Sequence, residues 1–358
     1  MRKLLCVLLA VSMFVCGLSA FAEEETGTET PPAAPGGRGA VEVIDGQIEG
    51  ENDPVDEFDQ EGDKVVYDPI EEIALDDVAI TDALDTLDGV RNILLLGLDS
   101  RTSASSVNQG RTGYLPRSDT MMLLSVDIEN RTIKLVSFLR DLYVEIPGYK
   151  NNRLNAAYVF GGYDLLAKTL ERNFGVKPDA YVAVNLAGLV EVIDQLGGLY
   201  VDVPANKVDR INAVIYWYND QVLGKTNNRS DFLTHGGYQL LNGKQAEAWA
   251  RYRYSESDFQ RTERQRQLIE LVFDKVTQMS VSELAAFAMK NISLVRTNMA
   301  LNDIIKLAPA VLAMKGAEIQ QLTIPRSNAY TSSRISGMAV LVPDRSKNIK
   351  ALKEFFAQ

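Results

Sequence analysis

Histidine is nearly absent: His235 is the single one in 358 residues, and the only two cysteines, Cys6 and Cys16, both fall within the first 22. Nucleophilic Ser-His or Cys-His catalysis is thereby nearly excluded, and a histidine-rich metal site entirely so. Once the leader that holds Cys6 and Cys16 is set aside, neither disulfide nor thiol chemistry remains. His235 itself, in LTHGG, reads as a loop residue.

Acid is also scarce where the sequence looks folded. The chain carries a formal charge of −11, yet residues 23–88 alone hold 22 Asp and Glu against Arg38 and Lys64. Residues 89–358 hold 33 Lys and Arg against 26 Asp and Glu, so the body is basic. A basic body behind an acidic leader points to an anionic substrate for the body. Nucleic acid would be one, but the start of the chain argues for export. Arg2 and Lys3 precede an apolar run from Leu4 to Ala22 that ends Ala20-Phe21-Ala22 before three glutamates. That is the pattern of a secretory signal. The run also approaches the roughly 20 residues that span a bilayer, so a retained anchor is the alternative; the small-x-small ending favours cleavage.

Residues 23–88, rich in Glu, Asp, Pro and Gly, lack the apolar surface to offset the entropy of ordering and read as a disordered linker. From Asn92 the pattern changes. Continuous apolar runs at Ile93–Leu98, Met121–Val126, Ile133–Phe138 and Tyr181–Val184 read as buried strands. Helical spacing covers Asn155–Phe174, Leu186–Leu196, Gly243–Ala250 behind an Asn242 and Gln245 capping pair, Phe259–Met279 and Ser282–Lys290. Near the end, two strands joined by a polar turn precede a helix over Ser346–Phe356. There is no internal repeat, and Asn206–Asp231 reads as an inserted loop or helix. The expectation is one α/β domain with its sheet covered on both sides.

The stretch RYRYSESDFQRTERQRQ, Arg251–Gln267, carries the strongest chemical signal. Arg251 and Arg253 share a face only if the backbone is extended, whereas Asp258, Arg261 and Gln265 share one helix face. Guanidinium forks converging with little local acid are suited to phosphate oxygens. Asp99, after the first strand, and Asp119, just before the second, can meet at one sheet edge as hard-oxygen ligands for Mg²⁺. Each alone also suits a turn or cap. Arg117 stands beside Asp119, and Arg140 beside Asp141 after the third strand. Alone, Arg140 reads more simply as a structural ion pair. Truncating Arg140 or Arg253 is expected to leave the fold intact, as for a partly exposed arginine.

Taken together, NILLLGLDSR, RSDTMMLLSVD, SFLRDLYVEIPG, RLNAAYVFGG, VNLAGLVEVIDQLGGLYVDV and RYRYSESDFQRTERQRQ resemble, in this order, the LytR-CpsA-Psr family of cell-wall glycopolymer ligases. The likeness spans Asn92–Asp274. It implies a catalytic domain over residues 89–358: a three-layer α/β/α fold with a central mixed sheet enclosing a prenyl-lipid tunnel. It further implies transfer of an anionic glycopolymer, such as a teichoic acid, from an undecaprenyl pyrophosphate carrier to peptidoglycan at the outer face of the cytoplasmic membrane. By the same resemblance Asp99 and Asp119 hold Mg²⁺ (or Mn²⁺), while Arg117, Arg140, Arg251, Arg253 and Arg261 contact the pyrophosphate. Asp258 and Gln265 orient those arginines or touch the head group, and Asp119 or Asp258 takes the acceptor's proton. Metal and arginines suffice for phosphoryl transfer without His or Cys. Val159, Phe160, Leu165, Leu166, Leu170, Phe174, Leu189, Val192 and Ile193 are candidates for the tunnel lining, though helical apolar spacing equally describes plain core.

The chain departs from the family in three places. Phe138-Leu139 stands where an Ile-Pro pair is usual, the loop between Asp99 and Arg117 is long, and the leader ends in a cleavage pattern although the family is generally membrane-anchored. Two other functions share the sequence features: a polyprenyl pyrophosphate hydrolase, and a non-catalytic receptor or regulator that binds lipid-linked wall precursors. The two aspartates favour an enzyme.

Overall fold

The computed structural model describes residues 90–100, 115–127, 129–225, 227–252, 258–305 and 308–358. The leader, the acidic stretch and Arg253 lie outside the described residues. Among the described residues no helix is long and apolar enough to cross a membrane.

The principal strands are β1 (Val90–Leu98), β2 (Ser118–Asp127), β3 (Thr132–Phe138), β4 (Ala180–Asn185), β5 (Leu199–Val203), β6 (Gly237–Leu241), β7 (Val295–Thr297), β8 (Ile319–Ile324), β9 (Tyr330–Ile335) and β10 (Met338–Pro343). The principal helices are α1 (Leu154–Phe174), α2 (Leu186–Gln195), α3 (Val208–Gln221), α4 (Gly243–Arg251), α5 (Asp258–Val276), α6 (Val281–Asn291) and α7 (Arg345–Phe356). One sheet of six strands runs in the order β8-β3-β2-β1-β4-β7. Strand β2 is antiparallel to both β1 and β3, β4 is parallel to β1, and β8 is parallel to β3. The sheet is therefore mixed.

Strand β1 shows why this sheet needs cover on both faces. Ile93 and Leu95 point into one core, Leu94, Leu96 and Leu98 into the other, and all are buried. Alternation with both sets apolar is the signature of a central strand. The first core is closed by α2, α3, α4, α5 and α6, the second by α1 and α7. The result is a three-layer α/β/α body, as expected from the sequence. The stretch Asn206–Asp231 proves to be mostly α3, whose Ile211 and Ile215 are buried in the first core.

The structure departs from the sequence reading in the helix over Asn155–Phe174 and in the tunnel lining. Helix α1 is broken at Gly161 and Gly162, where φ and ψ leave the helical region; Gly162 sits at φ 63, ψ −152, a conformation confined to glycine. The proposed tunnel residues also divide. Phe160, Leu165, Leu166, Leu170 and Phe174 pack on one face of the sheet, whereas Leu189, Val192 and Ile193 pack on the other. No single lining contains all of them, because spacing along a helix does not reveal which sheet face the helix covers.

Candidate active site

The carboxyl ends of β1, β3, β4 and β8 share one edge of the sheet with the start of β2, the place where open α/β sheets collect ligands. Asp99 follows β1 there, and its backbone N–H donates to the Arg117 carbonyl at 3.0 Å. Antiparallel pairing thus closes the gap that a long loop leaves open in sequence. The register then slips: Gly97 pairs with Thr120, but Leu98 pairs with Ser118. Asp119 is the extra residue of a β-bulge, a device that re-aims one side chain at a sheet edge. The neighbouring Gly97 leaves room for it, since a Cβ there would come within 2.9 Å of the Thr120 Cβ.

From Asp119 a chain of charges runs to α5. Arg140 Nη1 donates to Asp119 Oδ1 at 3.1 Å. Arg140 Nε lies 3.6 Å from both Asp141 Oδ2 and Asp258 Oδ2, distances of ion pairing but not of hydrogen bonds. Arg261 Nη2 donates to the same Asp258 Oδ2 at 2.9 Å, and Arg153 Nη1 donates to Asp141 Oδ1 at 3.2 Å. Burial alone would lower the Arg140 pKa, but Asp119, Asp141 and Asp258 outweigh it and hold the guanidinium charged well above its ordinary range.

Arg251 approaches from α4. It closes that helix, with Tyr252 turning extended behind it, so Arg251 is not the first of two extended residues as the sequence suggests. Its Nη1 donates to Glu247 Oε1 at 3.0 Å, and its guanidinium carbon sits 4.7 Å from the Trp217 ring centre. Burial works against its charge, and Glu247, Asp99 and Asp119 restore it. Glu247 itself is wholly buried, and burial pushes its carboxyl up, partly offset by Arg251.

Five site residues from the sequence therefore converge at this edge: Asp119, Arg140, Arg251, Asp258 and Arg261. Asp99 and Arg117 join them through the strand ends. Gln265 is half-buried one turn beyond Arg261 on α5, and Arg253 lies outside the described residues. The expectation of little local acid is corrected. Arg140, Arg251 and Arg261 each already sit on a carboxylate, because the acids come from residues far away in sequence or one helical turn back. Two further arginines of the stretch are structural. Arg264 donates to the Tyr252 carbonyl at 2.6 Å and stacks 3.8 Å over its ring, while Arg266 binds Ser137, Gln321, Thr323 and Glu263. Glu247 was not foreseen. The signal for Glu247 was its i, i+4 spacing from Arg251 in an alanine-rich turn.

Chemically, the edge offers guanidinium forks for phosphate oxygens and two oxygen ligands, Asp99 and Asp119, on adjoining strand ends. One or two carboxylates, with water and phosphate completing the shell, are the usual protein share of a Mg²⁺ site, so these residues fit that ion. No group of three or more acidic, histidine or cysteine side chains suited to a metal exists among the described residues.

Comparison with known proteins agrees with the fold. Regulatory protein MsrR of Staphylococcus aureus is 30% identical over 274 residues, 75% of each chain. The Bacillus subtilis polyisoprenyl-teichoic acid–peptidoglycan teichoic acid transferase TagT is 29% identical over 236 residues, 65% of this chain and 67% of its own. A solved structure of YwtF (TagT) with bound octaprenyl pyrophosphate lipid shares the fold at a TM-score of 0.53 and 21% identity, covering 77% of this chain and 95% of that one. The LytR_cpsA_psr family model matches residues 58–355, and the chain belongs to that family.

Proposed function

We propose that the chain is an extracytoplasmic phosphotransferase that moves an anionic glycopolymer from an undecaprenyl pyrophosphate carrier onto peptidoglycan at the outer face of the membrane. The observation that carries this reading is the line Asp119–Arg140–Asp258–Arg261, flanked by Arg251, at the carboxyl edge of the sheet. The named activity of TagT and the lipid in its structure support the substrate class.

In this reading Arg117, Arg140, Arg251, Arg253 and Arg261 hold the pyrophosphate oxygens, Arg140, Arg251 and Arg261 exchanging contacts with their resident carboxylates for contacts with phosphate. Bound at Asp99 and Asp119, Mg²⁺ or Mn²⁺ would neutralise charge developing on those oxygens. The acceptor hydroxyl oxygen bonds to the phosphorus bearing the glycopolymer, the bond to the bridging oxygen breaks, and polyprenyl monophosphate leaves. The hydroxyl proton passes to a carboxylate, for which Asp119 and Asp258, both paired with Arg140, are the candidates. Gln265 touches the head group, and the prenyl tail enters one apolar layer from the same edge.

The test supplies a synthetic polyprenyl pyrophosphate glycan with peptidoglycan fragments, comparing Mg²⁺ with chelator and wild type with Asp119→Ala. Metal-dependent transfer that the variant loses is the expected result. Release to water alone would replace ligase by hydrolase. Tight donor binding without turnover would favour a regulator, a role that the name of MsrR keeps in view.

A further inference from the structure

Glu247 is a carboxylate in an unusual place. Its neighbours on α4, Ala246, Ala248, Trp249 and Ala250, are all buried apolar side chains, and Glu247 itself is 0% exposed. Oε1 accepts from Arg251 Nη1 at 3.0 Å, whereas Oε2 is buried with no hydrogen-bond partner among the described residues. Taking a charge out of water is unfavourable, and an apolar side chain of similar volume would suit such a position at least as well for stability. The acid is therefore better explained by what it does to Arg251.

Arginine has a long flexible stem, and a guanidinium is useful to a phosphate only when its plane is fixed. Two contacts fix this one. The guanidinium carbon sits over the Trp217 ring, 4.7 Å from its centre, and one terminal nitrogen donates to Glu247 Oε1 at 3.0 Å. Arg251 remains 28% exposed, so the rest of the fork stays available toward the edge that carries Asp99 and Asp119.

We propose that Glu247 is a positioning residue: by holding Arg251 against Trp217 it pre-sets the guanidinium fork for a phosphate oxygen of the lipid-linked donor. This rests on the phosphotransferase reading. The hydrogen-bond acceptor at the length of a glutamate side chain is the working feature, and its charge is secondary.

The experiment measures binding of farnesyl pyrophosphate to the full chain by calorimetry, with thermal melting recorded for each protein. Glu247→Gln keeps the acceptor and removes the charge. Glu247→Asp keeps the charge and withdraws the acceptor by one methylene, and Glu247→Leu removes both. Outer partners that orient a binding group typically matter about tenfold or more, so Asp and Leu are expected to weaken binding about tenfold while Gln stays within about twofold of wild type. In an Arg251→Ala background Glu247→Asp should have no further effect, because the two residues act as one unit. The proposal is overturned if Gln weakens binding as much as Asp, if Asp binds like wild type, or if the Glu247→Asp effect persists without Arg251. Failure of the wild-type protein to bind any prenyl pyrophosphate would overturn the phosphotransferase reading and this one with it, whereas wild-type binding with unaffected variants removes this one alone.

Discussion

At the scale of single residues, the site is a set of arginines that are restrained before any anion arrives. Arg140 shows what that entails. Its side chain is 12% exposed and stands among Asp119, Asp141 and Asp258. Truncation to alanine removes one cationic partner from all three carboxylates at once, although Asp141 keeps Arg153 and Asp258 keeps Arg261, and removing one partner of a buried ion pair typically costs about 3–5 kcal/mol. The sequence suggests an arginine that can be deleted without harm to the fold; the structure overturns this. Arg140→Ala should melt well below wild type, whereas Arg140→Lys should recover most of the stability but not the binding of a prenyl pyrophosphate, since an ammonium lacks the planar fork. Melting curves and calorimetry on the two variants decide it, and an Arg140→Ala protein as stable as wild type would show the carboxylates to be independently solvated.

At the scale of elements, two local devices hold the layers that present the site. The start of α4 is tied to the preceding loop by Asp231, which accepts from Lys244 Nζ at 2.6 Å and from Asn242 Nδ2 at 2.9 Å. Partial burial would raise the Asp231 carboxyl, but the Lys244, Ser230 and Asn242 contacts prevail and lower it. A depressed carboxylate contributes stability above its unfolded value of about 3.9, and loses it as pH falls through the lower folded value. Asp231→Asn should therefore melt below wild type at neutral pH, with the difference shrinking as the solution is taken below about pH 4. A difference independent of pH would remove the charge from the explanation. In α1, Gly162→Ala places a side chain at a backbone conformation reserved for glycine and should lower stability by about 1–3 kcal/mol in chemical denaturation. Strands β1 to β4 and helices α2, α4, α5, α6 and α7 were legible because apolar periodicity and caps mark them. The break in α1 was not, although two adjacent glycines stood in plain view, because apolar spacing continues on either side. Strands β7 and β8 escaped for another reason: VRT is too short, and IQQLTI too polar, to show the apolar run of a buried strand. Of the candidate site, the Asp258–Arg261 pairing follows from helical spacing, whereas Asp119 and Asp258 meet Arg140 only through the tertiary fold, which no local pattern reveals.

At the scale of the whole molecule, charge is distributed by region. Residues 89–358 carry an excess of Lys and Arg, and such a field recruits anions, the class to which the proposed donor belongs. Screening shortens from about 30 Å at 0.01 M salt to about 3 Å at 1 M, so the association rate of a charged glycan donor should fall steeply with ionic strength, while the dissociation rate, set by the close arginine contacts, changes little. Stopped-flow binding across a salt series measures both. A salt-independent association rate would confine the electrostatics to the site itself. The same view shows α5 as a shared axle. Asp258 and Arg261 on its first turns belong to the charged edge of the sheet, and Arg266, little more than a turn later, clamps the helix to β3 and β8. With 3.6 residues per turn, one residue inserted between Arg261 and Arg266 would swing one set about 100° from the other. The spacing RTERQR is thus a phase setting: the helix tolerates exchange of its outward side chains, but not a change in its count.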